Sequence, residues 1–242
     1  MEWQEFVAES RVGYMRTISE KELVHERLGA RFAEHLSEYD TSRRVAVLVD
    51  KFLGDLRGQK VLDVGCGLGF FSRALHERGG TVTATDIGQK LLDHVRRTVG
   101  CECVRVDALN LVEHFGPAVF DVVLSSECIE HTPSPARALQ EMTRVLKPGG
   151  LLAVSTPNQV WYPLVRFATL MKMRPFDGLE NFSTFGSIRR ILGAEGVHVL
   201  REEGLHLIPF QFKLYRLSSW CDDHLQQLRS LMINLCVLAK KT

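Results

Sequence analysis

Apolar residues recur three or four positions apart over residues 20 to 53, first as Leu23, Leu28, Phe32 and Leu36, then as Val45, Leu48, Val49 and Phe52. That spacing predicts two amphipathic helices, with Asp40, Thr41 and Ser42 available as caps between them. From Lys60 the rhythm changes to short apolar runs: Val61 to Val64, Val82 to Thr85, Val104 to Val106, Val119 to Leu124 and Leu151 to Val154. Helix-length stretches separate them. Strand and helix alternating in this way predict parallel βαβ units.

Glycines punctuate the pattern where helices should stop. Gly79 and Gly80 end the first crossover helix, and Lys147-Pro148-Gly149-Gly150 makes a turn before the fifth strand. After Pro157 the alternation loosens into an apolar stretch from Val160 to Met173 and a helix-like run from Ser187 to Ala194. Two late strands follow, at Val197 to Ile208 and Ser230 to Ala239. At 242 residues the chain fits one α/β domain, expected to span 1–242 with an N-terminal helical cap over 1–55 and an inserted substrate lid over 159–195.

Composition narrows the function classes. With 45% apolar and 24% charged residues the chain should fold. Its formal charge of +1 supplies no long-range attraction for polyanions, so nucleic acid is not an expected partner. The acidic start, Met1-Glu2-Trp3-Gln4-Glu5-Phe6, lacks a secretory signal pattern, and no apolar stretch has membrane-spanning length. A cytoplasmic location is expected. The six cysteines form no CxxC pair and are expected to be reduced.

The informative segment is Val61-Leu62-Asp63-Val64-Gly65-Cys66-Gly67-Leu68-Gly69, a strand running into three alternating glycines and then a helix. Glycine permits positive φ and close approach of backbone to a ligand. A dinucleotide fingerprint would be GxGxxG; here it is GxGxG, with Asp63 two residues before Gly65. A carboxylate there repels a pyrophosphate and suits a zwitterionic cofactor bearing an ammonium group. One strand later Asp86 can accept both hydroxyls of a ribose, and Asp107 after the third strand can accept from an adenine amino group. Asp is also common as a cap or at strand ends. Three carboxylates at successive strand ends beside GxGxG are harder to attribute to capping alone.

These residues resemble the class I S-adenosylmethionine (SAM)-dependent methyltransferases. The stretches Gly80 to Gly88, Glu127-Cys128-Ile129-Glu130-His131, Leu146 to Gly150, Ser155 to Asn158 and Gly204-Leu205-His206 are similar to the ubiquinone-biosynthesis O-methyltransferases in particular. The likeness runs from about Asp40 to the C-terminus. It implies a Rossmann-like sheet of seven strands in the order 3-2-1-4-5-7-6, the last strand antiparallel, with helices on both faces. It also implies that Asp63 and the backbone of Gly65, Cys66, Gly67 and Gly69 hold the methionine part of SAM, that Asp86 with Ile87 takes the ribose, and that Asp107 with Ala108 takes the adenine. Ser125 completes the expected cofactor set. The family's N-terminal Arg on the cofactor carboxylate falls to Arg43 or Arg44, with Arg43 taken as the residue.

Methyl transfer from a sulfonium is an in-line displacement, so the protein mainly aligns donor and nucleophile. A phenol nucleophile must also lose its proton. Glu127, Glu130 and His131 follow the fourth strand at the sheet edge where ligands bind in open α/β folds, and are the expected catalytic residues. In the resembling subgroup ExxEH is a pattern for a divalent cation such as Mg²⁺, and the rival reading makes His131 a metal-free general base. Phe167, Leu170, Met171, Met173 and Phe176 fit either a core-facing helix or a cover over an apolar acceptor, and residues 160 to 185 are expected as a lid. With Arg166, Lys172 and Arg174 interleaved, residues 160–176 also suit a peripheral membrane contact. The leading expectation is transfer to a phenol or catechol oxygen of a small molecule. An N- or C-methyltransferase, an NAD-binding oxidoreductase and a non-catalytic SAM-binding module are the alternatives.

Overall fold

The computed structural model describes residues 38–171 and 179–242. Seven strands form one sheet: β1 (Lys60–Val64), β2 (Thr81–Asp86), β3 (Glu102–Arg105), β4 (Phe120–Ser126), β5 (Leu146–Pro157), β6 (Val197–Leu205) and β7 (Asn234–Lys241). Their order is β3-β2-β1-β4-β5-β7-β6. Strands β1 to β5 pair in parallel, and β7 runs antiparallel to both β5 and β6. Fold and order are those implied by the family resemblance.

The central strands are largely apolar because both faces of the sheet are covered. In β1, Leu62 and Val64 enter one core and Val61 the other; in β4, Val123 opposes Val122 and Leu124. The first core is closed by α5 (Pro135–Val145), through Ala138, Leu139 and Met142, and by α7 (Phe185–Ala194), through Ile188 and Leu192. The second is closed by α2 (Phe70–Glu77), by α3 (Gln89–Thr98), and by a π-type helix over Ala46–Leu53 that extends α1 (Glu38–Val45). The short α4 (Leu111–Phe115) packs Leu111 into the first core.

Several expected boundaries are corrected. Asp40, Thr41 and Ser42 do not cap a break between helices but lie within α1, where Asp40 binds Arg44 one turn later. The preceding run, 20–37, lies outside the described residues. Strand β6 stops at Leu205, since His206 adopts a left-handed φ of 63°. Strand β7 starts at Asn234 rather than Ser230, because Gln226–Leu231 forms a 3₁₀ turn.

The segment after β5 divides in two. Helix α6 (Tyr162–Leu170) contains no buried residue, and Phe167, Leu170 and Met171 are 58%, 73% and 59% exposed, so a core-facing stripe is ruled out for them. Met173 and Phe176 fall outside the described residues. Helix α7, by contrast, is capped by a reciprocal Thr184–Ser187 box and belongs to the core. Leu192→Ala is therefore expected to lower the unfolding free energy by about 2–5 kcal/mol. Leu164→Ala, on the exposed face of α6, should change it by less than about 0.5 kcal/mol. Urea titration of both variants checks the contrast.

Candidate active site

The site is built where the strand order reverses, between β1 and β4, at the carboxyl ends of the strands. Leaving β1, the chain turns through Gly65, Gly67 and Gly69 with φ values of 75°, 51° and 81°, all left-handed. Their surroundings differ. A Cβ on Gly65 would lie 2.5 Å from Cys128 Sγ and 2.7 Å from its Cβ, so this glycine lets the loop pack on the β4 exit. A Cβ on Gly67 would meet nothing within 4 Å, so the loop faces open space there.

Three backbone amides anchor the loop to β2, and neighbouring bonds order the strand ends around it. The amides of Gly65 and Cys66 both donate to Thr85 O at 2.9 Å. Asp86, at the end of β2, accepts from Gly67 N at 3.0 Å and from Gly88 N at 2.8 Å, which ties the loop to the entry of α3. Ile87 beside it is half-buried, and its carbonyl accepts from Arg105 Nε at 3.2 Å. Asp107 is buried after β3, accepts from Leu109 N at 3.0 Å, and adjoins buried Ala108. Ser125 Oγ donates to Val64 O at 3.0 Å, locking β4 to β1 within the core.

Asp63 sits beneath the loop, 1% exposed, accepting from Ser72 Oγ at 2.5 Å. It therefore ties β1 to the first turn of α2. Burial, with the nearby Asp86 charge adding, pushes its carboxyl up to about 7 even though Ser72 opposes the shift. Cys66 is buried too, and burial first and the Asp86 charge second hold its thiol far above the usual range.

At the β4 exit Glu127 takes a left-handed φ of 52° and its amide donates to Ser155 O at 3.1 Å. Its carboxylate accepts from Ser155 Oγ at 3.1 Å and is also held by Asn234. Burial raises the Glu127 carboxyl, partly countered by the Arg44 charge. Glu130 is fully enclosed and accepts from Thr156 Oγ1 at 3.1 Å. Burial and then the like charge of Glu127 push it well above the usual carboxylate range. His131 lies toward solvent, with Nδ1 3.1 Å from Leu179 O and Nε2 3.9 Å from Glu130 Oε1. A carbonyl only accepts, so Nδ1 carries the hydrogen and Nε2 is the nitrogen that can take a proton.

Two expectations about this region change. The arginine beside the site is Arg44, not Arg43. Arg43 turns to Asp223, 2.8 Å away on α8 (Tyr215–His224). Arg44 is buried over the ring of Phe71 in the first turn of α2, donating to Ser126 Oγ at 2.7 Å and to Asp40 Oδ2 at 2.8 Å. Secondly, Glu127, Glu130 and His131 do not assemble as metal ligands. Among the described residues no group of three or more His, Cys, Asp or Glu side chains is arranged to hold a cation. Glu127 is engaged by Ser155 and Asn234 beside a guanidinium, Glu130 by Thr156, and the His131 ring by a backbone carbonyl. The positive charge next to Glu127 is already supplied by Arg44.

Sequence reasoning missed the donors from β5 and β7, Ser155, Thr156 and Asn234, which pairing of those strands with β4 brings to the β4 exit. Only the Ser155 to Asn158 motif pointed toward them.

Residues 62–154 match the family described as a methyltransferase domain. The ubiquinone biosynthesis O-methyltransferase of Pseudomonas entomophila (strain L48) is 34% identical over 182 residues, 69% of this chain and 76% of that protein. An S-adenosylmethionine-dependent methyltransferase from Mesorhizobium loti superposes with a TM-score of 0.63 at 22% identity, covering 82% of this chain and 98% of that one. Magnesium protoporphyrin IX methyltransferase from Synechocystis PCC 6803, with bound SAH, gives 0.59 at 17% identity, over 99% and 95% of the two chains. At such identities these two structures share the fold.

The buried Asp63 makes stability depend on pH. Its carboxyl titrates at about 7 in the fold and at about 3.9 when unfolded, so the native state binds the extra proton between those values. The resulting stabilisation is complete below about pH 4 and is lost as pH rises through 7, a change on the order of 4 kcal/mol. Unfolding free energies measured from pH 4 to 8 should fall for the wild type relative to Asp63→Asn, whose amide does not titrate. Parallel curves for the two proteins would sink the assignment.

Proposed function

The chain belongs to the class I SAM-dependent methyltransferases, and we propose that it moves the methyl group of SAM to an oxygen of a small phenol or catechol. The observation that carries this reading is the juxtaposition at one sheet edge of the glycine loop, open at Gly67, with His131, whose Nε2 can take a proton. The O-methyltransferase name of the Pseudomonas relative supports oxygen as the atom methylated.

In this reading the backbone from Gly65 to Gly69 receives the amino-acid part of the cofactor, and Asp63 beneath favours an ammonium once its carboxyl is ionised. Asp86 and Ile87 take the ribose, and Asp107 with Ala108 the adenine. Arg44 faces the cofactor carboxylate. SAM supplies an electrophilic methyl on a sulfonium sulfur; the S–CH₃ bond breaks as the O–CH₃ bond forms, leaving S-adenosylhomocysteine. His131 Nε2 accepts the phenol proton. Burial and the Glu127 charge raise the Glu130 carboxyl, which disfavours a second negative charge opposite the phenolate. Alignment of the reacting atoms contributes roughly 7–11 kcal/mol to the barrier reduction, and proton removal about 10²–10⁴-fold in rate.

The test is a methyl-transfer screen with phenols, catechols and amines, run beside calorimetry with SAM and NAD. Binding of SAM but not NAD, and turnover on an oxygen acceptor, are expected. Gly67→Val, with a branched side chain at φ 51° facing the open space, should lose cofactor affinity. His131→Ala should keep that affinity and lose about 10²–10⁴-fold in kcat. Transfer confined to amines would move the chain to the N-methyl reading, and undiminished turnover by His131→Ala would remove the base.

The residues at the β4 exit do not fit a cation, since Glu127 lies beside the Arg44 charge while Glu130 is held by Thr156 and the His131 ring by Leu179 O. Turnover should persist in EDTA. Loss in chelator followed by recovery with Mg²⁺ would overturn this part of the reading.

A further inference from the structure

Behind Arg44 lies a buried charged array outside both cofactor loop and acceptor residues. His206 is wholly enclosed at the end of β6, at a φ of 63° that non-glycine residues seldom adopt. Its Nε2 is 2.8 Å from Asp40 Oδ1. Its Nδ1 lies 3.9 Å from Asp222 Oδ2, and both of those buried atoms lack a hydrogen-bond partner. The rings of Tyr39 and Phe210 pack on the imidazole at centroid distances of 5.7 and 5.2 Å. A histidine buried for packing alone needs neither a left-handed backbone nor an unmatched ring nitrogen against a carboxylate.

We propose that His206 is a positioning residue for Arg44, setting the guanidinium at the amino-acid end of the cofactor through Asp40. The inference rests on the reading above, in which Arg44 meets the cofactor carboxylate. Asp40 and Arg44 are one turn apart on α1, so their mutual bonds orient them only with respect to that helix. His206 comes from the end of the edge strand β6, and its Nε2–H donates to the same Asp40 oxygen that accepts from Arg44 Nε at 3.3 Å. The imidazole thereby sets the plane of the carboxylate. That plane sets the guanidinium through Nε and Nη2, while Nη1 is directed to Ser126 at the end of β4. Asp222, which accepts from Leu207 N at 3.1 Å, sits against the other ring nitrogen and limits rotation of the imidazole.

The experiment measures S-adenosylhomocysteine affinity by calorimetry and steady-state kinetics in SAM for two variants. His206→Asn tolerates the left-handed backbone but is too short to reach Asp40, whereas His206→Gln retains an N–H near the position of Nε2. His206→Asn should weaken binding about tenfold, as expected for loss of a bond to a charged group. It should raise the KM for SAM more than it lowers kcat, and His206→Gln should restore most of the loss. In an Arg44→Ala background, where no guanidinium remains to be oriented, His206→Asn should change affinity less than twofold. Wild-type affinity in His206→Asn, equal losses in both Arg44 backgrounds, or no recovery with His206→Gln would each overturn the positioning role. If His206→Asn fails to fold, His206→Gln in the two Arg44 backgrounds decides, since Gln must lie between wild type and Arg44→Ala in the first and be silent in the second. Absence of S-adenosylhomocysteine binding by the wild type would instead overturn the methyltransferase site assignment on which this inference stands.

Discussion

Burying a carboxylate without donors is expensive, and this protein buries them repeatedly along one edge of its sheet. Asp40, Asp63, Asp86, Asp107, Glu130 and Asp222 are all enclosed. The donors that make this tolerable come from different elements: backbone amides of the glycine loop and α3 entry for Asp86, Ser72 on α2 for Asp63, Thr156 on β5 for Glu130, and Arg44 with His206 for Asp40. Satisfying each carboxylate therefore fixes one element against another. Where donors are few and like charges near, as at Asp63 and Glu130, the remaining cost emerges as a raised pKa. The position of the glycine loop, the β4 exit and α1 is in this sense an electrostatic solution laid over a hydrophobic scaffold.

How much of this the chain discloses in one dimension depends on the range of the interaction. The central strands were legible because a strand buried on both faces is mostly apolar, as Val61, Leu62 and Val64 and the run Val122 to Leu124 show. The glycine loop was legible because left-handed turns select glycine locally, and each of Gly65, Gly67 and Gly69 has positive φ. Asp63, Asp86 and Asp107 follow from the same local βα logic. The choice between Arg43 and Arg44 was not legible. Adjacent residues on a helix point about 100° apart, and which one turns inward depends on Asp223 and Ser126, both distant in sequence. The stripe in α6 left both readings open because periodicity identifies an apolar face without identifying anything that covers it.

In the proposed reading the site consequently has two halves of different origin. The cofactor half is made within consecutive βα units, so a short motif suffices to encode it, and a recognisable GxGxG can sit in chains that share little else. The acceptor half of that reading is assembled from the β4 exit and the ends of β5 and β7, with α1 bringing Arg44 to the boundary between the two. Strand β7 reaches the site only because it inserts antiparallel between β5 and β6, which brings Asn234 opposite Pro157 at the same edge as Glu127.

That division bears on the charge at Glu127. A carboxylate pair beside a methyl-acceptor site needs a counterion, and either a bound cation or an arginine can provide one. Here the counterion is covalently part of α1, and α1 is docked by Tyr39 on Tyr215 and Ser219, by Arg43 on Asp223 and by Asp40 on His206. A fixed guanidinium cannot be exchanged or titrated away. Its placement is instead determined by packing between α1, α8 and the end of β6, and those elements lie outside the stretch that matches the methyltransferase domain family. In the proposed reading, variation in them alters the electrostatics where cofactor and acceptor meet while leaving the glycine loop itself intact. This gives one physical reason that a shared fold does not specify a shared substrate.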